Sequence, residues 1–159
     1  MGAPKRQAAN ESAEARLAAF LAEYSAPVRT VADAALKEVR QGLPGAVELV
    51  YDNYNALAVA FSPTERRADI VLSVTLYPRW VSLFFTRGVD LADPTKRLEG
   101  SGKAIRHVVL EDAAAVKRAD VGALIDQAIR LAPVPFARSA KRRVEIKMAL
   151  AKKRPRRPQ

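Results

Sequence analysis

The chain has 159 residues, of which 49% are hydrophobic and 28% charged, with no cysteine, one histidine and a formal net charge of +10. This length and composition fit one globular domain with a single hydrophobic core. The lack of cysteine excludes disulfides, thiolate nucleophiles and thiolate metal sites, and a single histidine excludes a metal site with paired imidazoles.

The positive charge is concentrated at the C-terminal end. Residues 133–159 hold ten of the 27 basic side chains and one of the 17 acidic ones, so residues 1–132 are nearly neutral. No apolar segment follows the first charges, and no run approaches the ~18 apolar residues of a membrane span. We therefore predict a cytoplasmic protein without a transmembrane segment, a flexible N-terminus over residues 1–11, and an electrostatic field that comes from the tail.

Two helices are predicted before Gly42. Apolar residues recur with helical spacing from Glu11 onward, and Pro27 marks a second helix because proline is tolerated in a first turn but not in a helix interior. Gly42 is typical of the residue that ends a helix. A third helix is predicted from Asp120, a candidate N-cap, and Pro133 stops it.

Between the second and third helices the hydrophobic period changes to two, which is typical of strands. Short turn sequences separate most neighbouring strands, so sequential antiparallel pairing is predicted. The predicted strands cover residues 47–51, 56–61, 70–76, 81–85 and 105–110. The predicted fold class is therefore α+β: an antiparallel sheet of about five strands, with N- and C-terminal helices packed on one face.

Several separate sequence motifs resemble those of one known family. They are Tyr51-Asp52-Asn53-Tyr54-Asn55, Tyr77-Pro78-Arg79-Trp80-Val81, Asp93-Pro94, Leu98-Glu99-Gly100-Ser101-Gly102-Lys103 and Arg106-His107. In this order they resemble the YdhG-like family, a bacterial family of largely unknown function. The resemblance implies a frataxin-like α+β domain over residues 12–132, followed by the basic tail. It also implies a non-enzymatic accessory protein that handles a small ligand, a metal ion or a protein partner, with an iron-chaperone role attached to the group.

Iron binding would need several oxygen ligands that converge on one point. The first helices carry five acidic residues, but basic residues are mixed among them and repel a cation. Asp90, Asp93 and Glu99 lie in one loop and are the candidate metal ligands. The alternative for Asp93-Pro94 is an ordinary turn.

The loop before the last predicted strand suggests a site for a small anion. Its candidate ligand-binding residues are Ser101, Lys103, Arg106 and His107, because glycines let backbone N–H groups approach an anion and a cation neutralises it. The spacing does not match a nucleotide-binding loop. A tight turn at the glycines and a packing role for His107 are the alternatives. No catalytic or cofactor motif is found, so we predict neither enzymatic activity nor a cofactor.

The basic tail over residues 133–159 is the strongest electrostatic feature. Its candidate polyanion-binding residues are Lys141, Arg142, Arg143, Lys147, Lys152, Lys153, Arg154, Arg156 and Arg157. Such a run favours non-specific binding of nucleic acid or the ribosome, which is the alternative function. The tail is predicted to be partly helical, from Ser139 to Leu150. A disordered solubilising tail is the other interpretation.

Trp80 follows a turn and begins the most apolar predicted strand. Its indole is either a partner-binding aromatic group or a half-buried packing group.

Overall fold

The computed structural model of the protein describes residues 3–158. Within them the fold is α+β, with three α-helices and a mixed sheet of six strands. The helices are α1 (Ala3–Ala22), α2 (Ala26–Gly42) and α3 (Ala119–Arg130). The strands are β1 (Val47–Asp52), β2 (Leu57–Ser62), β3 (Leu72–Leu76), β4 (Val81–Phe85), β5 (Arg106–Leu110) and β6 (Arg143–Ala149).

The sheet has the order β5-β4-β3-β2-β1-β6. Strands β1 to β5 pair with their sequence neighbours in antiparallel fashion, as the short turns predict. β6 pairs in parallel with β1 at the far edge. The predicted α+β class is confirmed, and the sheet gains one parallel strand that the sequence analysis did not predict.

The prediction of a helix from Ser139 to Leu150 is wrong, because Arg143–Ala149 forms strand β6. The register places Val144 opposite Glu48 and Ile146 opposite Val50. Val144 is 2% exposed and Ile146 packs against the same core. Alternate residues of β6 therefore add to the core, and pairing with β1 outweighs the local helical spacing.

One face of the sheet carries the core. Alternate residues of the strands, such as Val59, Val74 and Leu83, are fully buried and form one cluster with the buried residues of all three helices. In α2 these residues recur at helical spacing along one side. All the described helices therefore cover the same face of the sheet, and the opposite face has no helix against it among residues 3–158.

The N-terminal segment is helical and contacts strand β6. Residues 3–11, predicted to be flexible, lie in α1, and residues 1 and 2 fall outside the described part. The side-chain oxygen of Asn10 accepts a hydrogen bond of 2.7 Å from the backbone N–H of Val144 in β6. This contact depends on the unpredicted strand, which explains why the sequence pattern alone placed the start of the domain later.

The third helix begins one residue before its predicted cap. α3 starts at Ala119, and Arg118 is the N-cap residue. The carboxylate of Asp120 accepts hydrogen bonds from Thr95 and Arg97 at 3.0 and 2.8 Å. Asp120 therefore fastens the long loop before β5 to the start of the helix.

Candidate nucleic-acid interface

Much of the positive charge of the tail is neutralised within the fold. Glu48 is fully buried under α1 and α2, and Arg40 donates two hydrogen bonds to its carboxylate, at 2.9 and 2.8 Å. Arg142 contacts the same carboxylate and also that of Glu14. Burial lowers the pKa of Arg142, but the hydrogen bonds and charges of Glu48 and Glu14 raise it above its ordinary value overall.

A second ion network lies where β1 ends. The buried Asp52 carboxylate accepts hydrogen bonds from Arg156 at 2.8 Å and from Lys153 at 2.7 Å. Lys153 also donates to Glu23 at 2.8 Å. Although burial lowers the pKa of Lys153, its bonds to Asp52 and Glu23 raise it overall. Arg156, with only 4% of its surface exposed, is thus a structural residue of the core edge.

Two further tail cations form ion pairs on the sheet. Arg143 lies 2.8 Å from Glu145 and 3.6 Å from Glu65, and Lys147 lies 3.6 Å from Glu145. Five of the nine predicted polyanion-binding residues are therefore paired with carboxylates. The other four make no ion pair among the described residues: Lys141, Lys152, Arg154 and Arg157.

An open groove of about 1210 Å³ lies at the end of the sheet where the tail turns back. It is bounded by the β1–β2 connection, by the β3–β4 turn and by residues 150–158. The last segment is held in place by the ion pairs of Asp52 and by a 2.8 Å hydrogen bond from the Arg154 N–H to the Tyr54 carbonyl. The tail therefore forms one wall of the groove.

Two stacked aromatic rings line this groove. The Tyr77 and Trp80 rings stack with their centroids 4.5 Å apart and their planes 16° apart. The backbone N–H of Tyr77 donates to the Trp80 carbonyl across a two-residue turn, which fixes the pair. Trp80 remains 43% exposed. Burial raises the pKa of the Tyr77 phenol above its ordinary value of 10.0.

Tyr54 provides a second aromatic surface and is 44% exposed. The guanidinium of Arg154 lies 5.7 Å from the centroid of its ring, within the range of a cation–π contact. Arg79 and Arg157 complete the cationic lining, and no acidic side chain lines the groove in the described part of the chain. The groove therefore combines aromatic faces with three guanidinium groups.

The predicted ligand-binding loop has a different structure. Gly100 has φ of +122°, a conformation that favours glycine, so the tight turn is present. Ser101 and Lys103 are exposed, while Arg106 donates hydrogen bonds to the carbonyls of Gly102 and Ile105 at 2.6 and 2.8 Å. The structure thus uses Arg106 to close its own loop and does not gather these side chains around an anion.

His107 lies apart from that loop cluster, on the helix-free face of the sheet. Its ring lies 5.0 Å from the ring of Phe84, its register partner in β4. Its Nε2 atom is 3.6 Å from the Glu99 carboxylate. The His107 ring therefore packs against Phe84, and its side chain stays partly exposed.

The predicted metal ligands each have a separate partner. Asp90 pairs with Arg87 at 3.0 Å, and the carboxylate of Asp93 accepts the backbone N–H groups of Arg97 and Leu98. Within the part of the chain that the structure describes, no three acidic or histidine side chains come together as potential metal ligands. The geometry gives no support to a cation site at Asp90, Asp93 and Glu99.

Sequence analysis missed Tyr54, Tyr77 and Arg79 as parts of a site. The aromatic groups that face the tail come from two distant turns, so the composition of the tail itself does not reveal them. A signal was present, because Tyr54, Tyr77 and Trp80 all flank turns, where large aromatic side chains have little core to fill.

No protein-family model, curated protein or solved structure matches the chain. Of the helices in residues 3–158, none has both the length and the hydrophobicity needed to span a membrane.

Proposed function

We propose that this protein binds single-stranded nucleic acid in the groove between the β3–β4 turn and the C-terminal segment. The observation that carries the proposal is the Tyr77–Trp80 stack, whose indole is exposed, beside Arg79, Arg154 and Arg157, with no acidic side chain among the described residues that line the groove. Proteins that bind single strands without strong sequence preference combine aromatic faces for the bases with cations for the phosphates.

A single strand fits these features better than a duplex. In a duplex the base faces are stacked within the helix, so an exposed indole and phenol could reach only the backbone and groove edges. In a single strand the bases are free to stack on side chains, and each stacked base contributes about 1–3 kcal/mol. The exposed faces of Trp80 and Tyr54 are therefore useful only to the unpaired form.

In the proposed binding mode, only a few cations of the basic tail contact the nucleic acid. The sequence pattern predicts a polybasic segment of nine cations that attracts phosphates by charge. Five of the nine already neutralise carboxylates, so the tail contributes mainly Arg154 and Arg157, held against the aromatic turns. Binding through this groove depends on shape and stacking as well as on charge, and its salt dependence is moderate.

The test uses the only tryptophan of the chain as a reporter. We expect an oligouridylate to change the fluorescence of Trp80 in a saturable titration, and a hairpin duplex of equal length to have a smaller effect. Arg79→Glu should weaken binding more than Arg29→Glu, a matched charge reversal on an exposed residue of α2. Equal affinity of the two variants, or binding that leaves the fluorescence unchanged, would show that the groove is not the site.

A second proposal follows from the YdhG-like resemblance: a cytoplasmic accessory protein with a frataxin-like domain that handles a small ligand, a metal ion or a partner near the loop from Gly88 to His107. It is supported by the order within that loop. Glu99 and His107 exchange two backbone hydrogen bonds of 2.8 and 2.9 Å, which bring two of the quoted phrases together. Calorimetric titration with Fe²⁺ tests it, and an absence of heat at micromolar protein would remove the iron-chaperone form.

A further inference from the structure

The helix-free face of the sheet carries a second aromatic pair. Phe84 in β4 and His107 in β5 are opposite each other in the register, with ring centroids 5.0 Å apart and planes 30° apart. Both side chains are partly exposed. Phe84 also lines the groove, so the face and the groove are continuous.

The surface between the two aromatic pairs is built from small side chains. The residues on the helix-free side of the central strands are Ala58, Ala60, Ser73, Thr75 and Ser82. Three of them are buried among larger neighbours, with exposures of 3% for Ala60, 6% for Thr75 and 1% for Ser82. The larger rings of Trp80 and Phe84 therefore stand above recessed small residues, and a strand that crosses this face rests on the rings.

We infer that the bound single strand continues from the groove across this face, and that a second base stacks on the Phe84–His107 pair. This inference rests on the proposed function. Trp80 and Phe84 are four residues apart along one extended segment, a distance of about 13 Å. Stacked nucleotides rise ~3.4 Å each, so a strand of several nucleotides is needed to reach both aromatic pairs.

The far end of this path carries both favourable and unfavourable charge. Exposed Lys96 lies beside Glu99 and Val109 in a shallow cavity at the outer edge of β5, where its ammonium group can meet a phosphate. The Glu99 carboxylate, 3.6 Å from the His107 ring, repels the same phosphate. Neutralising Glu99 should therefore strengthen the binding of a strand that is long enough to reach His107. It should not change the binding of a shorter strand.

The test compares a uridine dinucleotide with an octanucleotide on the full chain. For the unchanged protein we expect the octanucleotide to bind at least about fivefold more tightly, because one more stacked base is engaged. His107→Ala should remove that gain and leave dinucleotide affinity unchanged. Trp80→Ala should weaken both ligands, and Glu99→Gln should strengthen only the octanucleotide.

Two results overturn the inference in different ways. If Trp80→Ala weakens both ligands while His107→Ala and Glu99→Gln leave octanucleotide binding unchanged, the groove binds nucleic acid but the strand does not cross the sheet. If neither oligonucleotide binds the unchanged protein, the proposed function fails and the inference fails with it. The Glu99→Gln result decides the matter if His107→Ala does not fold.

Discussion

Arg156 and Asp52 form an ion pair in which the two atoms lie 2.8 Å apart and each side chain is 2% exposed. Arg156 also donates to the carbonyls of Asn53 and Ala56. The pair therefore joins the end of the C-terminal segment to the end of β1 and fixes the wall that carries Arg154 and Arg157.

Arg156→Ala should lower the free energy of unfolding by about 3–5 kcal/mol, because removing one partner of a buried pair leaves the other charge without full compensation. Urea denaturation measures this. Arg154→Ala is the control, since its exposed side chain should change stability by less than about 0.5 kcal/mol. Similar losses for the two variants would mean that the buried pair does not anchor the segment.

Glu48→Gln keeps the shape of the side chain and removes the charge that Arg40 and Arg142 share. We expect a loss of about 1.5–3 kcal/mol, the range for hydrogen bonds to charged groups. Glu145→Gln, a partly exposed acid of β6, should cost no more than about 1 kcal/mol. Thermal unfolding measures the stability of both variants. Equal losses for Glu48→Gln and Glu145→Gln would mean that the Glu48 network contributes no more than a surface ion pair.

Removal of residues 133–159 should destabilise the whole domain, in contrast to the sequence-based prediction of an independent unit over residues 12–132. The truncation deletes β6, exposes the edge of β1 and leaves the carboxylates of Glu48 and Asp52 without their tail cations. Circular dichroism should show loss of cooperative unfolding. A truncated chain with an unchanged melting transition would show that the domain folds independently of residues 133–159.

The salt dependence of oligonucleotide binding should be moderate. Three arginines in the groove predict a slope of log affinity against log salt near about −2, from ~0.7 per phosphate on a single strand. Arg79→Ala and Arg157→Ala should each reduce the slope by ~0.7. A slope several times steeper, unaffected by these variants, would indicate that the whole tail acts as a free polycation.

Asp120 makes the stability of the folded state depend on pH. The hydrogen bond from Arg97 is the largest influence that holds the pKa of Asp120 well below its ordinary value of 3.8, while burial opposes it and Thr95 and Arg118 add to the lowering. Because the pKa is lower in the folded state, this stabilisation is present above about pH 4 and is lost as the pH falls through the folded value. Asp120→Asn should therefore be less stable than the unchanged protein at pH 7, and the difference should shrink in strong acid. A difference that stays constant with pH would contradict this.

Local patterns were sufficient to predict most of the elements. The strands with period two and the stripe of α2 are set by nearby residues, so β1 to β5 and the helices could be recognised. β6 could not be recognised, because Val144 and Met148 have helical spacing and the partner strand lies about a hundred residues earlier. A signal existed in β1, where Glu48 and Asp52 occupy core-facing positions that demand cationic partners.

The groove could not be predicted from local sequence patterns either. Antiparallel pairing of β1 to β4 places the turns at Tyr54 and Trp80 at the same end of the sheet, and the parallel pairing of β6 with β1 brings the distant tail to that end. Composition correctly identified the tail as cationic, but it could not separate the cations that neutralise buried acids from those that face solvent.

The parallel β1–β6 pairing also sets an order for biosynthesis. Glu48 is made 94 residues before Arg142, and Asp52 is made 104 residues before Arg156. Arg40, which is made earlier, already pairs with Glu48, but the Asp52 carboxylate has no tail cation until Lys153 and Arg156 emerge from the ribosome, and until then it resists burial. The C-terminal wall of the groove is the last part of the site to be synthesised, so a chain that stops before residue 150 lacks that wall.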